Sequence, residues 1–282
     1  MRRGCLRAPL ASDRDRFSSV SDPVITIPST VAASPGLAAR EVTHRYGTVL
    51  ALASVSVDIA SGELLAIVGE SGSGKTSLLR CFNRMLEPDA GSVLIDGQSV
   101  RDADAVTLRR QIGYVPQNGG LLPHWTALRN VALVPRLIHH VDPEQAARDA
   151  LDRCGLSAAT FGARFPHELS GGQRQRVALA RALAASQKVL LLDESFSALD
   201  AISRDELHEM FTELRASVGF TGILVTHDLA EAARLATRIA VMRAGKIEQC
   251  GSLAALRASP ATDYVAQLVS RAEASAHSLV TG

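Results

Sequence analysis

Apolar positions along this chain switch repeatedly between two periods. From Ala53 to Ile59 (ASVSVDI) apolar and polar residues alternate, the mark of a strand with one buried face. ELLAIVG (Glu63–Gly69) and VLLLD (Val189–Asp193) are apolar almost without a break, which predicts strands covered on both faces. SVLIDG, IGYVPQ and GILVTH read as further strands, and RIAVMRAGKIEQCG as a hairpin turning at Ala244-Gly245. Between these runs the period lengthens. Leu78, Leu79, Phe82, Met85 and Leu86 form one helical stripe, and Leu207, Met210, Phe211 and Leu214 form another. Asp142-Pro143-Glu144-Gln145 predicts a helix start, with Asp142 as cap, Pro143 at the first position and Gln145 closing a capping box. That helix would bury Ala146, Ala150, Leu151 and Cys154 and stop at Gly155. Asp228 with Glu231 repeats the capping logic.

Buried strands alternating with amphipathic helices predict an α/β layered core with a largely parallel sheet. The early alternating strands predict an added antiparallel sheet. No internal repeat of solenoid length is visible.

Composition narrows the function classes. The 282 residues suffice for a sizeable core. Charges nearly cancel at +1 and no long basic run occurs, so no nucleic-acid partner is expected. No apolar run approaches the roughly 20 residues that cross a bilayer, so a membrane role requires a partner. Cys5, Cys81, Cys154 and Cys250 lack pairing or metal-like spacing and read as reduced thiols. The first 36 residues are rich in Arg, Ser and Pro without periodicity, and read as a disordered leader or as sequence upstream of the true start.

Three stretches carry chemistry. Gly69-Glu70-Ser71-Gly72-Ser73-Gly74-Lys75-Thr76-Ser77, between a strand and a helix, satisfies the phosphate-loop pattern. Its glycines let the backbone curl until N–H groups point inward, and the helix N-terminus adds positive potential. Lys75 would reach the β- and γ-phosphates, and Thr76 would offer a hydroxyl to Mg²⁺. KVLLLDES then places Asp193 and Glu194 at the end of an apolar strand, Asp193 to complete the Mg²⁺ shell and Glu194 beside the attacking water. Whether Glu194 is a base or only orients that water stays open. Leu169-Ser170-Gly171-Gly172-Gln173 is a second anion-holding helix start, which leaves two phosphates or one phosphate held from both sides.

Taken in order, the phosphate loop, LSGGQRQRV, LLLDES, SALD and VTHD resemble the ATP-binding cassette ATPases, over roughly Leu37 to Ser270. The resemblance implies a P-loop α/β core with an antiparallel β-subdomain and an inserted helical subdomain near residues 118–182. The ATPase domain would run over 37–258 and a short helical tail over 259–282, with no room for regulatory CBS modules. It further implies a head-to-tail dimer in which Ser170, Gly171, Gly172 and Gln173 of one subunit clamp the γ-phosphate of ATP on the partner's Lys75 loop. Tyr46 matches the aromatic that stacks on adenine. Gln117 matches the glutamine that senses Mg²⁺ and water and links to the membrane partner. His227 matches the switch histidine, and Asp200 the loop crossing the dimer interface. Most relatives have proline where this chain has Ser195, which would either loosen the loop or add a hydrogen bond.

Between the motifs, QNGGLLPHWTALRNVALVPRL (Gln117–Leu137), NRMLEPDAGSVLIDG and SPATDYVAQLV look like the importers of osmoprotectants, among them glycine betaine, choline, carnitine and proline. The partners implied are a second ATPase subunit, membrane permease subunits and an extracytoplasmic solute-binding protein, with this subunit peripheral on the cytoplasmic face of the inner membrane. With one tryptophan and three tyrosines the chain offers no aromatic cage of its own for a quaternary amine. An importer of amino acids or other polar solutes is the alternative within transport. A soluble cassette ATPase of DNA repair or the ribosome is the alternative outside it, disfavoured by the single cassette.

Overall fold

The computed structural model describes residues 36–280 except residue 198, with residues 275–280 described for the backbone alone. The expected leader lies outside these residues, apart from Gly36. In chain order the elements are β1 (Leu37–Tyr46), β2 (Val49–Ile59), β3 (Leu64–Val68), α1 (Lys75–Phe82), β4 (Ala90–Ile95), β5 (Gln98–Ser99), α2 (Ala105–Gln111) and β6 (Ile112–Val115). Helices then run without a strand: α3 (Ala127–Val131), α4 (Leu133–Leu137), α5 (Pro143–Arg153), α6 (Ala158–Phe161) and α7 (Gly171–Leu183). The last stretch holds β7 (Val189–Asp193), α8 (Ala201–Val218), β8 (Thr221–Thr226), α9 (Leu229–Leu235), β9 (Arg238–Arg243), β10 (Lys246–Gly251), α10 (Leu253–Ala258) and α11 (Asp263–Val280).

Two sheets result, as the periodicity predicts. The alternating strands form a four-stranded antiparallel sheet, β2-β1-β4-β5. The continuous apolar strands form a six-stranded sheet, β10-β9-β3-β8-β7-β6, parallel except for β10 at the edge. Every residue of β3, β7 and β8 is buried. Their side chains divide between opposite faces. Leu65 and Ile67 of β3 pack with α1 and the antiparallel sheet, whereas Ala66 and Val68 pack with α9, α10 and α11. Leu190 and Leu192 of β7 pack in one cluster with α3, α5, α6, α7 and α8. Each large aliphatic side chain so enclosed contributes about 1.5–3 kcal/mol, and the polar residues of these strands, Asp193, Thr221 and Thr226, stand only at strand ends.

Where the local readings depart from the structure, tertiary contacts decide. Helix α1 ends at Phe82, before Met85 and Leu86. Arg84 takes a φ of 51°, and the Arg80 carbonyl accepts the N–H groups of Met85 and Leu86 at 3.0 and 3.1 Å, closing the helix with a left-handed turn. Met85 is thereby carried to the surface. Asp142 caps α5 through the Gln145 N–H (2.9 Å) and Gly155 follows its end at φ 71°. The capping box does not close, because the Asp142 N–H donates to His140 Nδ1 and Gln145 Nε2 donates to Asp149. Ala147 rather than Ala146 is buried, completing the i, i+3, i+4 stripe with Ala150 and Leu151. Asp228 caps α9 through Ala230 and Glu231, but the Glu231 carboxylate turns inward to His208 Nε2 at 3.0 Å. The hairpin turns at Ala244 (φ 45°) and Gly245 (φ 77°), both in the left-handed region that a two-residue turn requires.

Candidate active site

The carboxyl ends of β3, β6, β7 and β8 open on one rim of the parallel sheet, where α/β folds place their ligands. The loop leaving β3 is wedged tightly. A Cβ on Gly69 would stand 2.0 Å from the Met242 carbonyl oxygen, and one on Gly74, at φ 103°, would stand 2.4 Å from that of Ala51. Glycine is therefore obligatory at both ends of the loop. Lys75 opens α1 and is only 5 % exposed; its Nζ donates back to the carbonyls of Gly69 (2.7 Å) and Glu70 (2.8 Å). Burial holds its ammonium below the usual lysine range, opposed by Glu194, Asp193 and Glu70 nearby. Such a cation, short of solvent and hydrogen-bonded only to two neutral carbonyls, is poised for an anion in direct contact.

Next to it, Thr76 Oγ1 donates to Asp193 Oδ1 at 2.8 Å, joining α1 to the end of β7. Gln117, just past β6, donates from Nε2 to Glu194 Oε2 at 2.8 Å, and His227 Nδ1 lies 4.0 Å from the same oxygen. Glu194 occupies the left-handed region at φ 47°, held there by its N–H on the Val225 carbonyl (2.9 Å). A non-glycine residue so placed stores strain of about 1–3 kcal/mol, repaid by its surroundings. Ser195 resolves one open expectation: its buried Oγ donates to the Val115 carbonyl at 3.2 Å, tying β7 to β6.

A cavity of about 400 Å³ lies over these groups, lined by Ser71 to Ser77, Gln117, Glu194, Tyr46, Val49 and Ala51. Tyr46 is half exposed; His44 meets its ring edge-on at 4.7 Å and its Oη lies 3.5 Å from Ser77 Oγ. A larger groove of about 570 Å³ runs behind the loop, from Glu70 and His227 to α11, but Lys75, Thr76, Gln117 and Glu194 do not line it. The smaller cavity is thus the one with phosphate chemistry.

The signature stands apart from it. Ser170 caps α7 through a closed box, its Oγ accepting the Gln173 N–H (3.2 Å) and its N–H donating to Gln173 Oε1 (3.0 Å). Gly171 and Gly172 lie against Leu199 and Ser203, next to Asp200, which caps α8 through the Ser203 N–H at 3.0 Å. Ser170, Gly171, Gly172, Gln173 and Asp200 are therefore gathered on one surface, and none of them lines the Lys75 cavity of the same chain.

Two further groups escaped the sequence reading. Arg181 of α7 donates to the carbonyls of Gly120 (2.6 Å) and Gly119 (2.7 Å), both glycines at positive φ, and so fixes the loop that follows Gln117. Only the Gly-Gly pair hinted at a fixed turn there. Tyr264 of α11 accepts the Glu70 N–H at 3.1 Å, with no local signal at all.

Comparison with known proteins agrees with this geometry. The sequence profile of the ABC transporter family matches residues 52–197. The chain is 42 % identical over 223 residues to the glycine betaine/carnitine/choline transport ATP-binding protein OpuCA of Bacillus subtilis, covering 78 % of this chain and 58 % of that one. It is 41 % identical over 238 residues to the choline transport ATP-binding protein OpuBA of the same organism, covering 83 % and 62 %. The chain thus spans about three fifths of the length of these curated relatives. Among solved structures, the dimeric bacterial ABC transporter cassette MJ0796 superposes with a TM-score of 0.70 at 33 % identity, over 77 % of this chain and 98 % of that one. A profile match over half the chain, on a fold that presents its motifs at one sheet rim, places the protein in the ABC transporter family.

Proposed function

We propose that this chain binds ATP and hydrolyses it to ADP and phosphate as the energising subunit of an importer for osmoprotectants. The observation that carries the reading is the meeting at one rim of Lys75, the Thr76–Asp193 pair and the Gln117–Glu194 pair. The Lys75 ammonium, which keeps a third N–H beyond its two carbonyl partners, would turn that donor to phosphate oxygens, joined by the N–H groups of Gly72 to Ser77. Ser71 and Ser73 line the same cradle, where Ser73 Oγ is buried without a partner among the described residues. Tyr46 would offer its open ring face to adenine.

The donor set fits Mg²⁺. Thr76 supplies a hydroxyl, Asp193 a carboxylate and Gln117 an amide oxygen, all hard donors, and among the described residues no cluster of three His, Cys, Asp or Glu competes for a softer metal. When bound, the ion neutralises phosphate charge. Glu194, held by Gln117 and within reach of His227, would orient the water and accept its proton, while His227 would meet the γ-phosphate.

Separation of the Ser170 surface from the Lys75 cavity supports a head-to-tail pair of chains. Ser170, Gly171, Gly172 and Gln173 of one copy would close the other copy's γ-phosphate, with Asp200 at the crossing. No helix among the described residues is long and apolar enough to cross a membrane. Permease subunits would dock at the cavity of about 280 Å³ that includes Met85, Tyr114, Leu133, Val134 and Pro116, the residue before Gln117. That arrangement would put the subunit on the cytoplasmic face of the inner membrane, where a solute-binding protein would complete the system. The kinship with OpuCA and OpuBA supports the choice of a quaternary amine.

Vesicles reconstituted with the co-purified permease and binding protein test this. ATP-dependent uptake of glycine betaine or choline, lost with Lys75→Ala, is the expected result. Uptake of an amino acid or sulfate instead would overturn the solute and leave the ATPase standing.

A further inference from the structure

Helix α11 lies far from the phosphate loop in sequence and touches it in space. The contact falls on a single rigid unit, the Gly69–Glu70 peptide. Its carbonyl accepts Lys75 Nζ at 2.7 Å, and its N–H donates to Tyr264 Oη at 3.1 Å. A peptide is planar, so whatever fixes one end of it fixes the direction of the other. Tyr264 and Lys75 are therefore opposite ends of one lever.

The surroundings leave that lever little freedom. Gly69 is packed so closely on the Met242 carbonyl that a Cβ would clash. The next residue, Arg243, lays its guanidinium over the Tyr264 ring at 4.7 Å. Tyr264 as a whole is 8 % exposed and packs in one cluster with Ala66 and Val68, of the strand that feeds the loop, and with Val265 and Val269 of its own helix. Apolar packing accounts for the ring, and phenylalanine would satisfy it. The hydroxyl is the extra feature, and its partner is the loop. From the same helix, Gln267 and Leu268 border the 570 Å³ groove that reaches His227 and Asp228.

We propose that Tyr264 is a positioning residue of the nucleotide site: its hydroxyl orients the Gly69–Glu70 peptide, and through it Lys75, making α11 a working part of the ATPase. The proposal rests on the ATPase reading above. It assigns Tyr264 no contact with substrate. The phenol instead sets the resting place of the lysine and the curl of the loop from behind.

Tyr264→Phe in the full chain is the test, since it removes one oxygen and keeps the ring. Affinity for MgATP and MgADP is expected to fall about 3- to 10-fold, the range of one ordinary hydrogen bond. The rate at saturating ATP should change far less, so KM moves and kcat does not. A merely structural tyrosine would lower Tm and leave nucleotide affinity at the wild-type value, and that outcome overturns the proposal. Amide exchange on the wild-type chain gives a second reading that needs no variant. Adding MgATP should slow exchange in the first turns of α11, Asp263 to Val269, and unchanged exchange there under saturating nucleotide also overturns it. If the wild-type chain binds no ATP at all, the ATPase reading fails instead, and the two failures are told apart.

Discussion

Gln117 and Glu194, 77 positions apart, meet through a 2.8 Å hydrogen bond from Nε2 to Oε2. The amide arrives from the end of β6 and the carboxylate from the end of β7, neighbouring strands in the sheet. A charge-assisted bond of this kind holds the carboxylate in one orientation before any substrate arrives.

Removing that charge should stop chemistry and spare binding. Glu194→Gln is expected to bind ATP at near wild-type affinity while turnover falls about 10²- to 10⁴-fold, the usual weight of a positioned acid–base group. Dimers should accumulate with ATP on size exclusion. A variant that turns over at the wild-type rate removes Glu194 from the chemistry.

Ser195 follows Glu194 directly, and its hydroxyl ties the Glu194 turn to the carbonyl of Val115. Ser195→Ala should cost about 1 kcal/mol, somewhat more if that carbonyl finds no other partner. Denaturant unfolding would show the loss, with nucleotide affinity unchanged. A stability equal to the wild type would mean that this bond does not restrain the turn.

Lys75 gives a pH prediction. Burial lowers its pKa in the folded chain, so between that value and the ordinary 10.5 the unfolded chain holds the proton more tightly. Stability of the nucleotide-free protein should therefore carry a term that rises with pH through this alkaline window. Phosphate charge reverses the shift, so ATP binding should take up protons there. Calorimetry in buffers of different ionisation enthalpy measures that uptake; Lys75→Ala, if it retains any binding, should lack it.

How much of this could be read beforehand follows from range. The phosphate loop was legible because its constraints are local: Gly69 and Gly74 answer to backbone curl, and Lys75 follows a strand at fixed spacing. The two sheets were legible because alternating and continuous runs record how many faces are covered. Met85 was misplaced because a turn at Arg84, not the stripe, ends α1. Glu231 was misread as a cap because nothing near it announces His208 of α8. Tyr264 and Arg181 were missed since their partners, Glu70 and the Gly119-Gly120 turn, are neighbours only after folding. The separation of Ser170 from Lys75 is likewise fixed only by folding; the family resemblance, not the residues themselves, implied it, and it bears most on function.

Two inactive variants, mixed, test that separation most directly. Lys75→Ala spoils the phosphate loop and keeps the signature. Ser170→Arg spoils the signature and keeps the loop, at a capping cost of about 1 kcal/mol. If each site is built from two chains, an equimolar mixture contains pairs with one intact loop facing one intact signature. With random pairing such sites make up about a quarter of the total. The account predicts that ATPase activity, absent from either variant alone, returns in the mixture toward that level. Full activity in Ser170→Arg alone, or none in a mixture whose mixed pairs are demonstrably formed, would contradict it.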